Sequence, residues 1–251
     1  MTTQAILLPG AVMPADLAYG ALLRALGDDV HAVAKELEIY TAADPPPGYT
    51  LEHETDGILR TANAAGFDRF HLVGYSAGGA ASLALAAEHP ERLLSLALLE
   101  PAWIGNDELS AEERAIWRRF DDVASLPPEQ MMPAFVATQL AAGVQPPPPP
   151  PGPPPPWMTS RPAGVRKILE TFGTSSLDLD RLRAFDKPVL FALGGKSSPD
   201  YYARMANRAA AIFSDFTLEV FAERHHFDPP HRIEPDRTAA ALRALWRRAS
   251  A

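Results

Sequence analysis

The 251-residue sequence contains no cysteine, only four lysines and no long apolar run. The absence of cysteine excludes a disulfide scaffold, a zinc finger, a thiolate iron–sulfur site and a cysteine nucleophile, and it fits a reducing compartment. No apolar run approaches the roughly 18–20 residues of a membrane span, and residues 1–10 lack the basic start of a signal peptide. We therefore expect a soluble, cytoplasmic protein with no membrane span.

Positive charge is also scarce. The chain has 23 basic and 31 acidic residues, which gives a formal net charge of −8. The basic residues cluster only mildly, as Arg243, Arg247 and Arg248 near the end of the chain. This balance argues against nucleic acid as a partner, because duplex binding needs a concentrated basic surface.

Short apolar runs alternate with helical patterns along most of the chain. Such alternation predicts βαβ units and a parallel sheet covered by helices on both faces. The predicted strands are Ala5–Leu8, Phe70–Val73, Leu93–Leu99, Pro188–Leu193 and Thr217–Phe221. The predicted helices of this core are Ala15–Leu26, Thr50–Ala65, Ala77–Glu88, Tyr201–Phe213 and Ile233–Arg248.

Residues 104–182 break this rhythm and contain no convincing strand. Ser110 and Glu113 form a capping-box pattern at the start of one predicted helix, and two more helical patterns follow. We interpret 104–182 as a helical insertion into a core made of residues 1–103 and 183–251. Within it, Pro146–Pro156 predicts a polyproline loop, which would be a stiff spacer, an SH3-type ligand or the rim of a lid.

The strongest chemical signal is Gly74-Tyr75-Ser76-Ala77-Gly78. This Gly-x-Ser-x-Gly pattern comes directly after a predicted strand and directly before a predicted helix, which is the context of a nucleophile elbow. The alternative is a glycine-rich turn that binds phosphate at a helix N-terminus. A P-loop lysine and a Gly-x-Gly-x-x-Gly pattern are both absent, so the sequence favours a nucleophilic Ser76.

With these features the chain resembles the α/β-hydrolase superfamily over nearly its whole length. The motifs that carry the resemblance are Leu7-Leu8-Pro9-Gly10-Ala11, the Ser76 elbow, His89-Pro90-Glu91-Arg92, Lys187-Pro188-Val189-Leu190 and His226-Phe227. The resemblance implies an α/β-hydrolase fold, a doubly wound, mostly parallel sheet with helices on both faces. It also implies that 104–182 is a helical cap, inserted between the sixth and seventh core strands, in a small bacterial esterase- or lipase-like protein.

The resemblance implies that the catalytic base is a histidine after the last strand. His226 is the candidate, since the aromatic Phe227 follows it, and His225 occupies the position where the family usually has glycine. His225 is the alternative base. His225, His226, Asp228 and His231 also form a cluster that could bind a metal, but they have no familiar ligand spacing, so we predict no metal.

Two carboxylates are candidates for the acid of the triad. Glu100 ends an apolar strand, where a carboxylate would lie in the active-site layer and be costly unless an imidazole N–H paired with it. Asp200 lies nearer to the family's usual position after the seventh strand. Ser198-Pro199-Asp200 is, however, also an ordinary helix start. We predict Glu100, with Asp200 as the alternative.

The resemblance implies an oxyanion hole formed by the backbone N–H groups of Ala11 and Ala77, with Val12 as a possible substitute for Ala11. Pro9 replaces the histidine usual in that turn. The predicted activity is hydrolysis of a carboxylic ester of a small to medium apolar acyl substrate through an acyl-enzyme, with no cofactor. The same triad would serve a thioesterase, a lactonase or a carbon–carbon bond hydrolase. Two other hypotheses are a ligand binder with little turnover and an interaction module built around the polyproline loop.

Overall fold

A computed structural model describes residues 2–146, 148 and 152–250, and the strands of this part of the chain form one parallel sheet. The strand order is β2-β1-β3-β4-β5-β6. The strands are β1 (Thr3–Leu8), β2 (Val30–Ala34), β3 (Phe70–Tyr75), β4 (Leu93–Leu99), β5 (Val189–Gly194) and β6 (Phe216–Phe221). The α/β class expected from the sequence is therefore the class observed.

The strand β2 has no counterpart among the predicted strands. It pairs with β1 at the edge of the sheet, from Thr3 opposite Val30 to Leu7 opposite Ala34. Only its first residue is fully buried. An edge strand that short carries too little apolar sequence to stand out, so only its pairing with β1 defines it.

Helices cover both faces of the sheet. They are α1 (Ala15–Leu26), α2 (Leu51–Ala64), α3 (Ala77–Glu88), α4 (Ala111–Ala124), α5 (Pro128–Thr138), α6 (Arg161–Thr174), α7 (Leu179–Arg183), α8 (Arg204–Ile212), α9 (Pro230–Ile233) and α10 (Pro235–Arg248). Alternate residues of β1 point to opposite faces: Ala5 and Leu7 pack with α1 and α10, whereas Ile6 and Leu8 pack with α2 and α3. Both faces of the sheet are covered, so the central strands are largely apolar, with His71 of β3 and Ser95 of β4 as buried polar residues.

Two predicted core helices differ from the observed ones. The predicted helix Ile233–Arg248 is interrupted at Glu234, whose φ and ψ are −122° and 55°, and α10 begins at Pro235. Proline lacks the N–H of a helix interior and restricts the residue before it, so the helix must restart there. The predicted helix Tyr201–Phe213 begins as a wide turn, Pro199–Ala203, before α8.

The segment between β4 and β5 contains α4, α5, α6 and α7. The capping box of α4 forms as expected, with the Glu113 N–H donating to Ser110 Oγ at 3.2 Å and the Ser110 N–H donating to the Glu113 carboxylate at 2.7 Å. The predicted domain limit at residues 182 and 183 falls inside α7. Of the polyproline stretch Pro146–Pro156, residues 147 and 149–151 lie outside the described residues. None of the described helices is both long enough and apolar enough to cross a membrane.

Candidate active site

Ser76 lies in the sharp turn between β3 and α3. Its backbone has φ 54° and ψ −119°, a conformation that L-residues rarely adopt. The turn is tight because the backbone at the end of β1 packs very close to it. A Cβ atom on Gly78 would lie 2.6 Å from the backbone oxygens of Leu8 and Pro9. Glycine is required there to let α3 begin against the end of β1.

His226 follows β6 and its imidazole reaches Ser76. The distance from His226 Nε2 to Ser76 Oγ is 3.0 Å, and Nδ1 lies 3.1 Å from Glu100 Oε2. A carboxylate can only accept, so Nδ1 carries the proton and donates it, and Nε2 is left to accept the serine O–H. All three side chains are buried, with 5% or less of each residue exposed.

Glu100 is the first residue after β4 and has a positive φ of 47°. Its Oε1 accepts a hydrogen bond of 2.8 Å from the Gly194 N–H at the end of β5, while Oε2 faces His226. Both carboxylate oxygens are thus satisfied inside the protein. This pairing meets the requirement that a buried charge has hydrogen-bond partners.

The alternative acid, Asp200, and the alternative base, His225, do not take part in these hydrogen bonds. Asp200 is exposed in the turn Pro199–Ala203, and His226 pairs with Glu100 instead. His225 is 8% exposed, and its Nδ1 accepts the backbone N–H of Phe227 at 3.2 Å. Burial lowers the pKa of His225. The structure therefore brings Ser76, His226 and Glu100 together, and leaves Asp200 and His225 out of that hydrogen-bond chain.

The predicted oxyanion donors border the same space as Ser76. Ala11 and Ala77 line one cavity with the Ser76 side chain, and within the described residues neither backbone N–H has a protein acceptor. The turn that carries Ala11 is held against α3, because the Gly78 N–H donates to the Pro9 carbonyl at 3.1 Å. Proline at position 9 is compatible with this contact, since only its carbonyl is used.

The cavity at Ser76 is apolar and narrow, and we call it the inner cavity. About 290 Å³ of space is not filled by atoms when the gaps between side chains and the opening to solvent are counted, but the part that a water-sized sphere can occupy holds about one water molecule. The remaining lining residues come mostly from the helical insertion: Ala102, Phe120, Phe135, Gln139, Val165, Ile168, Leu169, Phe172 and Tyr201. The insertion thus forms most of the wall opposite the serine.

Three residues that the sequence did not single out as functional hold His226 in place. The Tyr202 ring stacks on the imidazole with ring centroids 4.5 Å apart, and the Tyr202 hydroxyl donates to Gln139 Oε1 at 2.6 Å. The Tyr75 hydroxyl donates to the His226 carbonyl. Burial raises the pKa of both tyrosines well above the usual range, so they remain neutral donors. No local sequence signal reports these contacts, because they join the end of β3, the residue after α5 and the loops after β5 and β6.

The histidine-rich loop does not gather metal ligands. In the described part of the chain, no three His, Asp or Glu side chains converge as a metal site would need. Asp228 instead pairs with Arg224 at 2.6 Å, and the His231 ring packs against Tyr19 and Tyr75.

Comparisons with known proteins agree with this architecture. The family model of the alpha/beta hydrolase fold matches residues 48–142. Among curated proteins, a Caulobacter vibrioides protein with the provisional name carbamate hydrolase RutD is 44% identical over 54 residues, which are 22% of this chain and 20% of the relative. A fluoroacetate dehalogenase of Burkholderia sp is 30% identical over 101 residues, 37% of this chain and 33% of the relative. The chain thus matches between a fifth and a third of the length of these relatives.

Solved structures match over almost the whole chain. An esterase from Thermogutta terrifontis has a TM-score of 0.68 and 19% identity, covering 98% of this chain and 90% of its own. The enol-lactonase from Burkholderia xenovorans has a TM-score of 0.70 and 16% identity, covering 98% and 91%. At these identities the likeness concerns the fold. The chain has the α/β-hydrolase fold, which confirms the resemblance expected from its sequence.

Proposed function

We propose that this protein is a serine hydrolase that cleaves carboxylic esters of small to medium apolar acyl groups through an acyl-enzyme. The observation that carries the proposal is the buried hydrogen-bond chain from Glu100 through His226 to Ser76, which ends at the wall of the apolar inner cavity.

Acylation follows from the hydrogen bonds of this chain. His226 Nε2 takes the Ser76 proton as Oγ attacks the ester carbonyl, and the Glu100 carboxylate stabilises the imidazolium that forms. The N–H groups of Ala11 and Ala77 donate to the developing oxyanion. When the tetrahedral intermediate collapses, the carbon–oxygen bond to the alcohol breaks and His226 returns the proton to the leaving oxygen.

Deacylation uses the same groups with water in place of the alcohol. His226 takes a proton from a water molecule, whose oxygen attacks the acyl-enzyme carbonyl. Collapse of the second intermediate breaks the bond to Ser76 Oγ, which regains its proton from His226 and releases the acid. No cofactor takes part in either step.

The wall of the inner cavity supports an apolar acyl group and a cap that moves. Phe120, Phe135 and Ile168 come from three helices of the insertion and face the space beside Ser76. The space fits about one water molecule, so an acyl chain needs these helices to shift outward. We propose on this basis that 104–182 acts as the cap of the active site.

Carbamate hydrolysis is a second candidate, favoured by the 44% identical segment shared with the Caulobacter relative. A carbamate carbonyl can be attacked by Ser76 in the same way as an ester. Dehalogenation is not favoured, because a serine that displaced a halide from carbon would leave an ether, which water does not hydrolyse at such a site.

The test is labelling with a serine-reactive fluorophosphonate, followed by intact mass and peptide mapping, together with turnover of nitrophenyl esters and carbamates of increasing chain length. We expect one adduct on Ser76, and loss of both adduct and turnover in Ser76→Ala. Ser214→Ala, a serine in an exposed loop, is the matched control and should behave as wild type. Ester turnover that persists in Ser76→Ala would contradict the proposal. Ligand binding without turnover in the wild type would favour the binding-protein hypothesis.

A further inference from the structure

A second and larger cavity lies beside the inner cavity, and we call it the outer cavity. Two phenylalanine rings stand between them: Phe135 lines the inner cavity and Phe227 the outer one, with ring centroids 6.3 Å apart and ring planes at 69°. The outer cavity contains about 1100 Å³ of empty space, including its opening to solvent.

The position of the outer cavity identifies the part of the substrate that it faces. Phe227 follows His226 directly, and the Tyr75 ring, also part of the wall, lies 4.9 Å from the His226 ring. In acyl transfer the histidine that accepts the serine proton delivers it to the leaving group, so the leaving group lies on the histidine side. The outer cavity is on that side, whereas the oxyanion donors and the acyl-facing helices border the inner cavity.

The wall is mostly apolar but contains one cation. Arg232 lines the cavity and is half-buried, and no carboxylate of the described residues lies within 4.0 Å of its guanidinium. The nearby acids are engaged elsewhere, since Asp228 and Glu234 pair with Arg224 at 2.6 and 3.0 Å. Arg232 therefore brings a positive charge to the cavity wall without a counter-ion from the described part of the chain.

His231 belongs to the same wall, but protein encloses its ring nitrogens. Its side chain is fully buried, and neither ring nitrogen has a hydrogen-bond partner within the described residues. Burial lowers the pKa of His231 to about 3, so the ring is neutral and carries one donor and one acceptor. The neutral, enclosed ring therefore adds no charge and no reachable hydrogen-bonding atom to the wall, and Arg232 is the one charged residue among the described residues that line the cavity.

We propose that the outer cavity binds the leaving group of the substrate and that this group carries a carboxylate, held by Arg232. The inference rests on the proposed hydrolase function. A single guanidinium forms two parallel hydrogen bonds to one carboxylate, which matches a monoanion. The apolar wall, including Val12, Met13 and Val136, fits the aromatic or aliphatic body that bears it.

The test compares two esters with the same acyl group, 4-(butanoyloxy)benzoate and its neutral analogue 4-(butanoyloxy)benzamide. Their alkaline hydrolysis rates correct for intrinsic reactivity. We expect the wild type to show at least tenfold higher corrected kcat/KM for the carboxylate ester. Arg232→Gln should bring the ratio close to one, and Arg232→Lys should restore part of it. Arg69→Gln, which makes the same charge change at the amino end of β3, should keep the wild-type ratio.

The outcomes separate this inference from the proposed function. Equal corrected kcat/KM values in the wild type, or a preference that survives in Arg232→Gln, would overturn it. If neither ester is hydrolysed, the proposed hydrolase function has failed. Titration calorimetry of the full chain with 4-hydroxybenzoate and 4-hydroxybenzamide then tests the cavity alone. Selective binding of the benzoate that is lost in Arg232→Gln supports the site, and no selectivity overturns it.

Discussion

Ser76 and Glu100 both have a backbone φ angle that is rare outside glycine. Both have a positive φ, 54° and 47°, and both follow directly after neighbouring strands, β3 and β4. A non-glycine residue with such a φ costs about 1–3 kcal/mol, and the surrounding structure must over-determine it. The Ser76 N–H donates to the Leu99 carbonyl, and the Glu100 N–H donates to the Ala192 carbonyl, both at 3.2 Å. These bonds hold the two side chains at the same edge of the sheet.

The first prediction concerns the acid. Glu100→Gln keeps the side-chain shape but removes the charge that orients and stabilises the His226 imidazolium. We expect kcat on a nitrophenyl ester to fall by a factor on the order of 10²–10⁴. Asp200→Asn removes the exposed carboxylate and should change kcat by less than about threefold. The reverse ranking in steady-state kinetics would assign the acid to Asp200.

The second prediction concerns the contact between the elbow and the oxyanion turn. Gly78→Ala places a methyl group 2.6 Å from the Leu8 and Pro9 oxygens, so one backbone must move. We expect the free energy of unfolding to fall by about 1–3 kcal/mol, with a loss of turnover because the Ala11 and Ala77 donors separate. Gly173→Ala in α6 is the control, since a Cβ there meets nothing within 4 Å. It should stabilise the protein by up to about 1 kcal/mol in urea unfolding.

At the scale of elements, α6 is anchored to the core by a buried arginine. Arg161 is 3% exposed, its Nη2 lies 3.2 Å from Glu36 Oε2, and its guanidinium stacks 3.8 Å from the centre of the Tyr40 ring. Glu36 also accepts the Leu37 N–H at 2.9 Å. The helical insertion is thus tied to the loop after β2 by one charged side chain.

The third prediction tests this anchor. Arg161→Met keeps much of the apolar stem but leaves Glu36 without its cation. We expect a loss of about 1–3 kcal/mol in the free energy of unfolding by urea, since breaking a largely buried pair leaves one charge unpaired. Lys167→Met breaks an exposed pair with Glu170 on the same helix and should cost less than about 1 kcal/mol. Equal losses of unfolding free energy in the two variants would show that the Arg161–Glu36 pair contributes no more than an exposed ion pair.

At the scale of the whole molecule, two buried histidines make stability depend on pH. Burial lowers the pKa of His71 to about 4 and that of His231 to about 3. His71 lies in β3, and its Nδ1 is 2.8 Å from Ser95 Oγ of β4. Both rings are neutral in the folded protein at neutral pH. An unfolded chain protonates them near pH 6.5, so it binds more protons than the folded chain at mildly acidic pH.

The fourth prediction follows from this difference. The contribution of these two neutral histidines to the free energy of unfolding is fully present above about pH 6.5 and is lost as the pH falls toward 4. At pH 5 each histidine should cost about 2 kcal/mol relative to pH 7. His71→Asn removes one titrating group while its amide offers a hydrogen bond to Ser95. The loss of unfolding free energy between pH 7 and pH 5, measured in urea, should therefore be smaller than in the wild type. His31→Asn, which replaces an exposed histidine, should lose as much unfolding free energy between pH 7 and pH 5 as the wild type. An unchanged loss in His71→Asn would contradict the prediction.

The sequence by itself determined the alternation of apolar strands and helices, the strand–turn–helix context of Ser76 and the histidine after the last strand. These features are local: a buried parallel strand needs a continuous apolar run, and a tight turn needs small residues at Gly74 and Gly78. Only the tertiary structure decided that Glu100 rather than Asp200 hydrogen-bonds His226. That choice depends on β4 lying between β3 and β5 and on the positive φ of Glu100. The edge strand β2, the Arg161–Glu36 contact and the outer cavity likewise join segments far apart in the chain, so no local pattern encodes them.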